Sequence, residues 1–235
     1  MADNAALKVY ITGNVNMETL KPLVEKYIGS LPILTKKGTA WVDENISKPK
    51  GKVDKELKVK MQTPKTTVGI IYTGTMAKTM ENNIKMSLLN GVMDQLYTKT
   101  IREDEGGTYG VGVRGSISKY PEGEYSLLVN FNMSPERREE LAAIIVREFE
   151  KLAAQGPVAE HVEKVRSYML KSFEESQKKN GAWMNWLYSY YFDGEDNYSG
   201  YEELVKGITA EDIRLLAKYI LDQGNFIEVS MTPAE

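Results

Sequence analysis

The chain has 235 residues, 42% hydrophobic and 27% charged, enough for one large or two small globular domains and too apolar for a disordered polymer. Its 30 Lys and Arg against 33 Asp and Glu leave a net charge of −3, so composition offers no electrostatic footprint for nucleic acid. With no Cys and a single His, His161, the sequence excludes disulfide frameworks, cysteine nucleophiles, iron–sulfur clusters and His-rich metal centres.

No stretch approaches the roughly 18–20 apolar residues of a membrane span, and residues 1–6 lack the features of a signal peptide. Leu7, Val9 and Ile11 alternate and predict a strand, so the chain reads as a mature protein or, by preference, an excised fragment. Asn16 then caps a predicted helix bearing Leu20, Leu23, Val24 and Tyr27, which Gly29 and Pro32 stop. Residues 35–51 are polar and read as a linker. The six lysines of 48–60 are interrupted by Asp54 and Glu56, which fits a solvated linker and edge strand better than a phosphate track.

Strands are predicted at 57–61 and 66–73, the second apolar enough to lie centrally in a sheet. Ile84, Leu88, Val92 and Leu96 then mark the core stripe of a long helix ending near Ile101. Residues 108–117 and 124–133 form a predicted antiparallel hairpin through Pro121-Glu122-Gly123. Ser134-Pro135 opens a helix that Gly156-Pro157 ends; further helices follow over 158–173, around 183–191, over 198–205 and after Thr209. Gly224 precedes a final strand at 226–231. Residues 3–13 and 223–232 echo one another, each running from a polar stretch with Asn into a short alternating segment. Helices cluster and strands pair mostly as neighbours, so the expected fold class is α+β, an antiparallel sheet with helices packed mainly on one face.

Few side chains offer chemistry. The glycines at 106, 107, 110 and 112 lead into a strand with no Gly-Lys-Ser/Thr, so they ease a turn rather than cradle phosphate. His161 has Glu160 and Glu163 beside it but no second imidazole, and reads as a surface histidine. The rings of Trp183, Trp186, Tyr188, Tyr190, Tyr191, Phe192, Tyr198 and Tyr201 are read as core or interdomain packing, with a grip on an extended peptide or sugar as the alternative. Arg102 and Tyr109 flank a glycine turn between a helix end and a strand start. A guanidinium and a phenol brought together there would donate hydrogen bonds to a substrate carbonyl or developing oxyanion; such a pair also serves as a structural ion pair or cap.

Ile101-Arg102-Glu103, followed by Gly106, Tyr109 and Val111, resembles the L-R-E-x-x-G-x-x-Y-x-V signature of the pitrilysin/insulinase-type zinc metallopeptidases. Tyr27-Ile28-Gly29-Ser30-Leu31-Pro32 is similar to the Y-x-G-x-L-P passage preceding that signature, and residues 208–220 fit the helix near the family's domain ends. The resemblance implies a processing-peptidase-like closing domain, the C-terminal, non-zinc-binding portion of a clamshell enzyme. Zinc would sit in the parent protein's N-terminal half, on an inverted H-x-x-E-H motif that a chain with one His cannot contain. On this reading residues 1–34 are the tail of a preceding homologous domain, 35–52 a linker, and 53–235 the closing domain.

The resemblance further implies that Arg102 and Tyr109 bind substrate near the scissile bond, positioned by Gly106 and Gly107, with no metal or other cofactor in this chain. Its partners would be a peptide or protein substrate and the zinc-binding half, in the same polypeptide or a homologous subunit, with no nucleic acid and no membrane span. The chain alone would be inactive; the alternative is a non-catalytic scaffold or partner subunit. A bacterial periplasm or cell envelope is the compartment the family suggests for the parent protein.

Overall fold

The structure is a computed structural model that describes residues 7–32, 42–104, 108 and 110–234. The chain divides into two compact units, one of Ser47–Lys171 with Gly200–Glu235, the other of the described residues up to Ile46 with Ser172–Ser199.

The larger unit is built on a five-stranded sheet of order β1-β5-β2-β4-β3. Its strands are β1 (Lys52–Val59), β2 (Thr66–Thr75), β3 (Val111–Ser118), β4 (Glu124–Met133) and β5 (Phe226–Pro233). β2, β3, β4 and β5 pair antiparallel, whereas β1 runs parallel to β5 as an edge strand. The α+β fold is therefore as expected, with one parallel pair at the edge. β4 explains the layering: Tyr125, Leu127, Val129, Phe131 and Met133 are buried while the residues between them are not, the period-two pattern of a strand covered on one face.

The covering layer comes from α2 (Met80–Tyr97), α3 (Arg138–Gln155), the first turns of α4 (Ala159–Ser176) and α7 (Ala210–Asp222), with α6 (Tyr201–Gly207) beside them. The helical stripe read at Ile84, Leu88 and Val92 is buried, and α3 adds Leu141, Ile145 and Phe149. Helix limits follow local chemistry. Thr79 accepts the Asn82 amide at 3.1 Å to start α2, and Thr209 with Asp212 forms a reciprocal capping box at α7. At Gly156 φ is +83°, a backbone state that suits glycine, and α3 ends there. The β3–β4 hairpin turns through a cis Tyr120–Pro121 bond and Gly123 at φ +73°.

The smaller unit contains α1 (Met17–Tyr27), capped as expected by Asn16, whose side chain accepts the Glu18 amide at 2.8 Å. It also contains α5 (Asn180–Tyr188), continued by a π-helical turn, Ser189–Asp193. The strand expected over 7–13 does not form, so its echo with β5 is of sequence and not of structure. Alternation produces a strand only where a ladder partner exists. Here the segment is tied by side chains instead: the Lys8 ammonium donates to the Tyr191 carbonyl, the Thr12 hydroxyl to the Asn180 carbonyl at 3.3 Å. Leu7, Val9 and Ile11 remain exposed.

The aromatic residues of this unit are not a closed core. Trp183, Trp186 and Tyr198 form a triangle with ring centroids 4.9–5.1 Å apart, and Phe173 sits 5.6 Å from both Trp186 and Tyr198. Tyr188 stacks on Phe192 at 4.8 Å. Yet Tyr188, Tyr190, Tyr191 and Phe192 are exposed. Their rings bury one another's edges without being removed from water.

Candidate functional site

The sequence singled out the connection from α2 to β3. After Tyr97, α2 widens into a π-helical turn, Thr98–Asp104, which carries the backbone of Arg102. Such turns recur at functional sites because the extra residue per turn re-aims the chain. Ile101 is fully buried, fixing the helix end in the core, and Tyr97 is equally buried with its hydroxyl donating to the Ile145 carbonyl at 3.0 Å. Gly106, Gly107 and Tyr109 lie outside the described residues, as does the Arg102 side chain. The Thr108 hydroxyl reaches the Asn132 carbonyl and accepts the Gly110 amide at 3.2 Å, which ties the chain to β4 just before β3 begins.

β3 is an edge strand held against α2 by contacts that sequence reading missed. The Asp94 carboxylate accepts the Val113 amide at 3.0 Å, and the Asn90 side-chain amide donates to the Gly115 carbonyl at 3.2 Å. Burial raises the pKa of Asp94, and the Val113 hydrogen bond works against that rise. Gly115 suits this close approach: a Cβ there would meet Asn90 Oδ1 at 2.7 Å and the Met86 side chain, which would have to shift. Asp94 stands at an exposed helix position, where an acidic residue is ordinary, so the sequence carried no signal for this contact.

His161 is half-buried at a cavity of about 150 Å³ shared with Val92, Leu96 and Leu152, and its backbone carbonyl accepts from Gln95 at 3.3 Å. Among the described residues no three His, Asp or Glu side chains come together to hold a metal ion. A chain with a single His cannot supply the inverted H-x-x-E-H zinc motif. No helix among the described residues is long and apolar enough to cross a membrane.

The model of the peptidase M16 inactive domain matches residues 3–169. The chain belongs to this peptidase family. That is the assignment to which the Arg102–Tyr109 signature led. Solved structures repeat the fold. The periplasmic protease PqqL from Escherichia coli superposes with a TM-score of 0.79 at 20% identity, over 94% of this chain and 25% of its own. The ferredoxin protease FusC, solved as a mutant in complex with Arabidopsis ferredoxin, gives 0.76 at 18% identity, over 96% and 25%. A protease from Helicobacter pylori gives 0.80 at 15% identity, over 94% and 54%. This M16 chain thus spans about a quarter of the first two and about half of the third. No curated protein sequence matches it.

Proposed function

We propose that this chain is the substrate-binding, C-terminal-type region of a zinc endopeptidase, with Arg102 and Tyr109 donating hydrogen bonds to a peptide carbonyl near the scissile bond. The observation carrying this reading is the signature's position. It occupies the connection between a helix whose end is buried at Ile101 and a strand whose start is tied by Thr108. This chain's own donor set does not fit zinc, so the metal would be held by the N-terminal half of the parent protein or a homologous subunit. In the same proposal residues 1–34 end a preceding homologous domain, 35–52 link, and 53–235 close over the substrate, a peptide or protein. The periplasmic description of the Escherichia coli relative supports a bacterial envelope location for the parent.

The test is peptide cleavage by the parent protein, wild type against a double variant, Arg102→Ala with Tyr109→Phe, at matched zinc occupancy. A fall of about a hundredfold or more in kcat/KM is expected. Near-equal rates would overturn the substrate role and leave a structural closing domain or scaffold.

A further inference from the structure

Arg102 lies on the π-helical continuation of α2, and Tyr109 stands two residues before β3 in sequence. Two donors serving one carbonyl therefore need these two elements in a set register. The Thr108 hydroxyl and the β3–β4 ladder tie the end of the connection to β4. Asp94 and Asn90 do something different: they join β3 to α2. The Asp94 carboxylate accepts the Val113 amide at 3.0 Å, and the Asn90 side-chain amide donates to the Gly115 carbonyl at 3.2 Å.

These two bonds are rungs of one ladder. Asn90 and Asp94 are four residues apart on α2, so they share a helix face and are separated by about 6 Å along its axis. Val113 and Gly115 are two residues apart on β3, a rise of about 7 Å, and their backbone groups point to the same side of the strand. The two steps match, with helix and strand running in opposite directions. A slip of one residue along β3 would leave both side chains facing no outward backbone group, so the rungs oppose it.

The step also leads toward the signature. Four residues on along α2 and two back from β3, counted twice from Asp94 and Val113, arrive at positions 102 and 109. The extra residue taken up by a π-helical turn shifts that count by about one position. The register held by the two rungs is thus the one that relates the Arg102 and Tyr109 positions.

We propose, on the substrate reading above, that Asp94 and Asn90 are positioning residues: by fixing β3 against α2 they set Arg102 and Tyr109 on the same peptide carbonyl. Neither touches the substrate. Asp94 has the larger share, because a charged acceptor makes the stronger hydrogen bond.

The test is a mutant cycle in the parent protein at matched zinc occupancy. Asp94→Ala should lower kcat/KM about tenfold or more, the effect of misplaced donors. Asp94→Asn keeps an oxygen to accept the Val113 amide and should recover most of that loss; Asn90→Ala should show a smaller one. Added to the Arg102→Ala, Tyr109→Phe double variant, Asp94→Ala should cost nothing further, because no donors remain to be placed. A merely structural residue would slow both backgrounds alike. Hydrogen exchange at the Val113 amide of the full chain reads the rung by itself and should quicken about tenfold or more in Asp94→Ala. Wild-type turnover in Asp94→Ala beside a slowed double variant would overturn the positioning role and leave the substrate reading standing. Equal losses in both backgrounds, an Asp94→Asn variant no faster than Asp94→Ala, or unchanged exchange at Val113 would overturn it too. A double variant at the wild-type rate would instead overturn the substrate reading, and the positioning role with it.

Discussion

The two units put similar apolar residues to different ends. In the sheet unit Tyr125, Leu127, Val129 and Phe131 alternate along a strand that helices cover, and all four lie at or near zero exposure. In the smaller unit Trp183, Tyr188, Tyr190, Tyr191 and Phe192 are crowded along α5 and its π turn, and every one is at least a third exposed. The difference is periodicity. A strand sends alternate residues to one face, and a layer above removes that whole face from water. Aromatic residues at adjacent positions of a helix point around its circumference, so no single surface can cover them.

Truncating the buried face should therefore cost most. Phe131→Ala is expected to lose about 3–5 kcal/mol in urea denaturation, the transfer term plus the cavity left behind. A loss below about 1 kcal/mol, the size of an average substitution, would mean that the sheet unit is not the stability core. Gly115→Val tests the same unit at its edge. The new side chain must displace Met86 or Asn90, so a loss of about 1–3 kcal/mol is expected by the same assay.

In the smaller unit Trp183→Ala should cost less than Phe131→Ala, about 1.5–2.5 kcal/mol, since the ring is 36% exposed and gives up only part of a core ring's burial along with its ring contacts and the indole hydrogen bond to the Gln177 carbonyl at 2.8 Å. If it costs as much as Phe131→Ala, the contrast between the units collapses.

Smallest is the capping box of α7. The Thr209 hydroxyl and amide, both hydrogen-bonded to Asp212, hold that carboxyl below its ordinary pKa, with Lys85 at 3.4 Å adding to the effect. A carboxylate depressed in the folded state stabilises above its unfolded pKa, and that stability is lost as pH falls through the folded value. Thr209→Ala should cost about 1 kcal/mol at neutral pH and flatten the acid limb of a melting-temperature profile. An unchanged limb would assign acid sensitivity elsewhere.

What could be read without coordinates followed the same division. The α2 stripe, the β3–β4 hairpin and the capping signals at Asn16 and Thr209 all act within a few residues, and all were legible. The segment over 7–13 carries a strand's alternation but needed a partner that local sequence does not reveal. The parallel seating of β1 beside β5 joins the first strand of the sheet unit to the last, and no local rule announces it. At the candidate site the Arg102–Tyr109 spacing was visible through resemblance. The support from Asp94 and Asn90 was not, because polar residues at an exposed and a half-buried helix position look like ordinary solvated side chains until the strand they serve is known.

The contacts between α2 and β3 have a further consequence, for self-association. An open sheet ends in two rows of unpaired backbone groups, each a template on which another chain can add. Here Asp94 and Asn90 occupy an amide and a carbonyl of one row. The other row is β1, studded with Lys52, Lys55 and Lys58, whose acidic neighbours Asp54 and Glu56 already lie within 4 Å of Arg138. Neither border offers an incoming strand an uncontested run. A second copy approaching edge to edge would meet either side chains already bonded to the backbone or its own row of lysines.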